Sequence, residues 1–265
     1  MGLPLVDYHN HTALCGHATG TMDDYIAAAR VKGLREIGFS DHAPVPEQFR
    51  PGISMEPGQV ESYITEIEKL RGQNTGIEIR VGMEVDYPLL DSFDRRYLDD
   101  PRIDYLIGSC HMLDGWIFEH PDYADGFDRR DINQVYRQYY EVLKSLAASG
   151  HFSIIGHFDV VKKFGHRPGE SMTGPVTEVL SVMARKDVAM EINTSGLMRP
   201  VKEMYPSEEI LHLAFQLNVP VTLGSDAPSP ESVGYAFDKA AELLVRSGYR
   251  KVSGFSKKKR YDITI

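Results

Sequence analysis

The sequence predicts an α/β fold in which parallel strands are covered by helices, closed as a barrel. Three observations predict it. Short β-rich runs alternate with amphipathic helical patterns along the 265 residues, and regular alternation needs crossover helices between parallel strands. The length suits one α/β barrel and exceeds a minimal domain. Polar, metal-competent residues follow seven successive predicted strands, and in a parallel barrel those ends all open on one face.

The elements follow in order. The apolar run Leu3-Pro4-Leu5-Val6 reads as the first strand. Thr21-Met22-Asp23-Asp24 resembles a capping box, with Asp where Glu or Gln is usual, and opens a helix to about Lys32 that stops at Gly33. A strand at 36–40, a helix at about 58–71 and a strand at 77–85 come next. A short helix is predicted at about 89–97, then a strand at 105–110. A long helix at about 131–148 ends before Gly150. Strands at 153–156, 188–192 and 219–223 alternate with helices at about 176–186 and 207–216. The last helix, about 232–246, precedes a strand-like run at 251–255. With no linker, low-complexity stretch or repeat, residues 1–265 read as a single domain.

Bulk composition narrows the functions. Hydrophobic residues are 42% and charged residues 25%, ordinary for a globular protein. No apolar run reaches about 18 residues, so no membrane span is expected. The N-terminus lacks signal-peptide features, and the two cysteines, Cys15 and Cys110, make no disulfide framework. A reducing cytoplasm is the simplest reading. A net charge of −9 argues against a nucleic-acid binder, which needs a basic face for phosphates. Composition says nothing about oligomeric state.

The chemistry is concentrated at the strand ends. His9-Asn10-His11 and His17 follow the first strand directly. Side chains alternate along a strand, so His9 and His11 share a side and can chelate one ion. The later strand ends supply Asp41 and His42, Glu84 and Asp86, His111, His157, Asn193, and Ser225 and Asp226. Imidazoles with two or more carboxylates, and no thiolate cluster, suit Zn, Mn or Fe. Metals held close together around a shared carboxylate suit hydrolysis of phosphate esters. Lys162 and Lys163 follow His157, and Arg199 follows Asn193. Cations in those loops would face the metals and clamp a phosphate; the plain alternative is solvated surface charge. Cys15 reads as a small packed thiol, Cys110 as a core residue pointing away from His111. The basic run Lys257-Lys258-Lys259-Arg260 reads as a solvated tail.

These residues resemble the PHP (polymerase and histidinol phosphatase) family, in its histidinol-phosphatase branch. The stretches that carry the resemblance are Asp7-Tyr8-His9-Asn10-His11-Thr12, Ser40-Asp41-His42-Ala43-Pro44, Gly82-Met83-Glu84-Val85-Asp86-Tyr87, Gly156-His157-Phe158-Asp159 and Gly224-Ser225-Asp226-Ala227. Ser109-Cys110-His111-Met112-Leu113-Asp114-Gly115-Trp116 points to the phosphatase branch. The resemblance implies a distorted seven-stranded (β/α) barrel holding two to three divalent ions. It assigns His9, His11, Glu84 and Asp226 to a first metal, and Glu84, His111 and His157 to a second. His17 and His42 would hold a third with a histidine two residues after Asp226. That position is Pro228, which has no ligand atom. The resemblance implies hydrolysis of L-histidinol phosphate, with Glu84, Asp226 and Arg199 catalytic and an arginine near Arg199 on the phosphate. Another small phosphate ester or a nucleotide is the alternative substrate, and an inactive metal-bound module the alternative class.

Overall fold

In the computed structural model, residues 5–50 and 52–265 are described. The Leu3-Pro4 half of the first predicted strand lies outside them. Seven parallel strands form one sheet in sequential order: β1 (Val6–Asp7), β2 (Glu36–Phe39), β3 (Glu78–Asp86), β4 (Tyr105–Ser109), β5 (Ile154–Ile155), β6 (Ala189–Asn193) and β7 (Val221–Gly224). The sheet curls back on itself. Tyr8 N donates to Leu223 O (3.0 Å), His11 N to Ala227 O (3.1 Å) and Ala227 N to His9 O (3.1 Å). These bonds join the first strand to the last and complete a distorted barrel. They also set the His9–His11 segment directly beside Asp226.

Among the described residues, six α-helices cover the sheet: α1 (Met22–Val31), α2 (Val60–Gln73), α3 (Ile132–Ala148), α4 (Thr173–Lys186), α5 (Glu208–Gln216) and α6 (Phe237–Arg246). The α1 capping box forms as its sequence predicts. Thr21 N donates to Asp24 Oδ2 (2.9 Å), and Asp24 N to Thr21 Oγ1 (3.2 Å). Among the described residues, no helix is long and apolar enough to cross a membrane.

Three local expectations are corrected. The helix at 89–97 is instead two 3-10 turns, Tyr87–Ser92 and Arg95–Leu98. Asp94 separates them in an extended conformation and caps the second, its Oδ1 accepting from Arg96 N at 3.1 Å. The last helix begins at Phe237 rather than near Ser232, because Gly234 (φ 62°) and Ala236 (φ 53°) take left-handed conformations that a helix cannot include. The strand-like run at 251–255 forms as expected, outside the seven-stranded barrel. It forms β8 (Lys251–Ser256), an antiparallel hairpin with β9 (Lys259–Thr264). The basic run is therefore no loose tail. Lys257 and Lys258, both at positive φ, make the tight turn. Lys257 N donates to Asp104 Oδ1 (3.0 Å), and Tyr261 OH to Glu36 Oε1 (2.6 Å). The hairpin thus covers the N-terminal ends of the strands, away from the histidines.

Candidate metal centre

The barrel closure builds the centre from its first residues. Asp7, buried at the end of β1, accepts from Ser225 N (3.0 Å), Gly234 N (2.9 Å) and the Ser225 hydroxyl, lacing β1 to the end of β7. Burial pushes its carboxyl up to about 6, against the lowering effect of those bonds. Just beyond, His9 and His11 stand on one side with ring centroids 5.1 Å apart. Asp226 (φ 53°) and His157 (φ 23°) hold left-handed conformations unusual for side-chain-bearing residues. Such strain persists only where surrounding contacts enforce it, and it gathers at functional sites.

Glu84, from β3, is the hub. Its Oε2 lies 3.0 Å from His42 Nδ1 and 3.3 Å from His9 Nε2. Its Oε1 lies 3.0 Å from His157 Nε2 and 3.4 Å from His111 Nε2, and accepts from Ser109 Oγ at 2.6 Å. Asp226 Oδ1 is 2.9 Å from His11 Nε2 and 3.7 Å from His9 Nε2. His9, His11 and Glu84 present ligand atoms within 4.8 Å of one another, as do His42, Glu84 and His111. Side chains from the ends of β1, β2, β4 and β5 thus meet around one carboxylate of β3.

The electrostatics favour bound positive charge. Burial pushes the Glu84 carboxyl up, but the imidazoles of His42, His9 and His111 outweigh it and hold it well below the usual carboxylate range. Asp226 is likewise raised by burial and lowered further by His9, His11 and His157. Burial holds His42 neutral, down to about 3, despite Glu84. A neutral imidazole keeps a free lone pair for a cation.

The residues fit a divalent ion. His9 Nε2 and Glu84 Oε2 are buried without a hydrogen-bond partner among the described residues. A buried polar atom left unpaired is costly, and a shared ion would satisfy both. Ligands about 2.0–2.1 Å from a tetrahedral ion stand about 3.3 Å from one another, close to the 3.0–3.4 Å spacings around Glu84 Oε1.

His17 sits apart, exposed on the loop after Cys15. Its ring centroid is 5.3 Å from His11 and 5.4 Å from His42. Pro228 uses its carbonyl to accept from Thr19 N at 2.9 Å and brings no side-chain donor. Cys15 Sγ lies near His11 and His17, but it is buried and donates to Thr12 O at 3.1 Å. Burial first, with Asp41 adding, pushes its thiol up to about 12. Cys110 is also buried, with its Sγ donating to Met112 O at 3.4 Å.

A cavity of about 250 Å³ opens over the centre, lined by His11, His17, His42, Glu84, His111, His157 and Asp226. Lys163, Arg199, Glu119 and His120 line it too, and Val45, Phe49, Ile53, Leu89, Met112 and Ile117 make an apolar wall. Lys163 Nζ donates to Glu119 O (3.0 Å) and to its carboxylate. The Arg199 guanidinium makes no hydrogen bond or ion pair among the described residues. Lys162 is not with them. It is buried behind the wall, with Nζ 2.9 Å from both Asp159 Oδ2 and Met204 O and 3.1 Å from Glu203 Oε2. Lys163 is the next residue, and at three residues per turn the two side chains leave the 3-10 turn Val160–Lys162 about 120° apart. The charge of Lys162 is spent inside the fold, so the reading of Lys162 as a phosphate contact is withdrawn.

Attention to residues past the strands overlooks the carboxylate behind them. Glu191, inside β6, bonds His9 Nδ1 through Oε1 at 2.6 Å. The signal is its place two residues before Asn193, on the same face of the strand. Asp41 and Asp86 were visible as strand-end acids, but they back the histidines. Asp41 Oδ1 is 3.5 Å from His11 Nδ1, and Asp86 Oδ2 is 3.6 Å from His111 Nδ1. Carboxylates behind imidazoles orient them and raise their basicity.

Fold and site together define a parallel (β/α) barrel carrying a histidine–carboxylate centre at the C-terminal ends of its strands. The chain belongs to the PHP domain family, whose sequence profile matches residues 7–195. It is 37% identical over 251 residues to the "Probable histidinol-phosphatase" of Deinococcus radiodurans, covering 94% of this chain and 96% of that protein. It is 31% identical to the histidinol-phosphatase of Bacillus subtilis, covering 89% and 98%. The fold matches the crystal structure of histidinol phosphate phosphatase from Lactococcus lactis, complexed with zinc, L-histidinol and phosphate. That match has a TM-score of 0.81 at 22% identity and covers 98% of this chain and 100% of that one.

Proposed function

We propose that this chain is a single-domain, metal-dependent phosphomonoesterase that hydrolyses L-histidinol phosphate to L-histidinol and phosphate in histidine biosynthesis. The observation that carries this reading is the convergence in one cavity of the Glu84-centred histidine cluster and the Arg199 cation. The 37% identity to a histidinol-phosphatase over nearly the whole chain supports the substrate.

The reading assigns His9, His11, Glu84 and Asp226 to a first divalent ion, and Glu84, His111 and His157 to a second. His17 and His42 are left as an incomplete third set. The ions are drawn from zinc, manganese and iron, by the nitrogen and oxygen donors. When bound, such ions neutralise phosphoryl charge and lower the pKa of a water. The chain's own residues do the rest. Arg199, without a hydrogen-bond or ion-pair partner among the described residues, offers a planar two-pronged contact to the phosphoryl oxygens, where charge spreads in the transition state. Lys163 adds a second cation once it exchanges Glu119 for phosphate. Asp226 is held at the cavity wall by Ser195 Oγ, 3.1 Å from its Oδ2. The small, partly apolar cavity suits a small molecule rather than a nucleic-acid strand, in keeping with the net charge of −9. The cytoplasm is the proposed compartment.

Phosphate release by the metal-reconstituted chain tests this. The expected result is a turnover-to-Michaelis ratio highest for L-histidinol phosphate among a panel that includes nucleotides and sugar phosphates. A nucleotide or sugar phosphate as the best substrate, or no release from any, would overturn it.

A further inference from the structure

We propose that Glu191 is a positioning residue that aligns both metal-binding halves of the centre at once. The inference rests on the reading of these histidines as metal ligands. Glu191 is buried inside β6, and its two oxygens face different strands. Oε1 bonds His9 Nδ1 at 2.6 Å, so the His9 ring is turned with Nε2 toward Glu84. A ring whose Nδ1–H is committed to a carboxylate keeps its Nε2 lone pair for an ion. Oε2 accepts the backbone N–H of His157 at 2.7 Å. That is the peptide at positive φ, the turn that aims the His157 ring at Glu84 and His111. A left-handed turn at a histidine needs such a contact to persist. Asn193 Nδ2, 3.0 Å away, holds the same Oε2 in place.

The neighbouring strand β7 is cut to admit this side chain. A Cβ on Gly224 would overlap Glu191 Oε1. Glycine at position 224 therefore opens the space that the carboxylate fills. The carboxylate of Glu84 joins the two histidine sets from the cavity side. Glu191 joins them from the side away from the cavity, through one ring and one backbone N–H.

The test compares zinc affinity and the visible spectrum of the cobalt-substituted full-length chain. Glu191→Gln keeps the volume, but it cannot accept from His9 and His157 with both atoms. The expected result is zinc affinity at least about 10-fold weaker by chelator competition, as for loss of other partners behind metal ligands, with shifted cobalt bands. Glu36→Gln is the control. Glu36 is an equally buried carboxylate at the opposite end of the barrel, bonded to Tyr8, Tyr261 and Arg80. It should lower the melting temperature and leave zinc affinity and cobalt bands unchanged. If Glu191→Gln does not fold, Glu191→Asp, one methylene shorter, is measured in the same way. Wild-type zinc affinity and spectrum in the folded Glu191 variant would overturn the inference. Failure of the unmutated chain to bind zinc or cobalt would instead overturn the metal-site reading beneath it. Loss of activity on histidinol phosphate alone bears only on the substrate.

Discussion

His111 Nε2 and His157 Nε2 face each other 3.1 Å apart, one from the end of β4 and the other from the turn after β5. Glu84 Oε1 stands within 3.4 Å of both. Two imidazole nitrogens and a carboxylate oxygen directed at one point are stable together when a cation lies among them or a proton is shared. The arrangement concentrates the proposed chemistry on Glu84, which serves this set through one oxygen and the His9 set through the other.

Glu84→Gln should therefore weaken both metal positions. The substitution keeps the shape and removes the shared charge. Turnover should fall about 100-fold or more, given the size of such metal and electrostatic effects. Elemental analysis beside steady-state kinetics checks it, and full metal content with near-normal turnover would remove Glu84 from the site.

Arg199→Ala should keep its metals and lose transition-state binding. A charge-assisted bidentate contact accounts for about 2–4 kcal/mol in the turnover-to-Michaelis ratio. An unchanged ratio would return Arg199 to ordinary surface charge.

The two adjacent lysines should separate cleanly. Lys162→Met leaves Asp159 buried without its cation and should lower stability by about 3 kcal/mol, read from the denaturation midpoint, with metal content intact. Lys163→Met removes a cation that lines the cavity and should raise KM, with a smaller loss of stability because its partner Glu119 is more exposed than Asp159. Equal effects of both on KM would contradict the separation seen in the fold.

The native chain should hold two ions firmly and a third weakly. His17 and His42 lack the imidazole expected two residues after Asp226, since position 228 is proline, and fewer ligands offset less of an ion's dehydration. Metal-edge diffraction with elemental analysis tests this: three fully occupied positions in the unmutated protein would refute it. Pro228→His should raise occupancy of the third.

Much was legible because strand ends carry their own marks. Period-two alternation placed His9 and His11 together, and β-α alternation implied one shared face for residues as distant as His9 and Asp226. Local chemistry also marked the α1 start, where Thr21 and Asp24 cap each other within four residues. The Tyr87–Leu98 stretch was not legible, because a helical spacing of apolar residues does not reveal an extended Asp94 in its midst. The β8–β9 hairpin was half legible: its first strand was visible, but its pairing was not.

The sequence by itself determined the barrel class, the family and the identity of the histidines and carboxylates at the strand ends, because those depend on periodicity and residue type. Tertiary structure alone decided which neighbour each charge meets. Lys162 and Lys163 are adjacent in sequence, yet one is neutralised inside the fold and the other lines the cavity. Glu191 lies 182 residues from His9 and bonds it at 2.6 Å. Contacts of that range form only when closure of the barrel brings β1, β6 and β7 together, so strand alternation marks the face that Glu191 shares with Asn193 but not the histidine it meets.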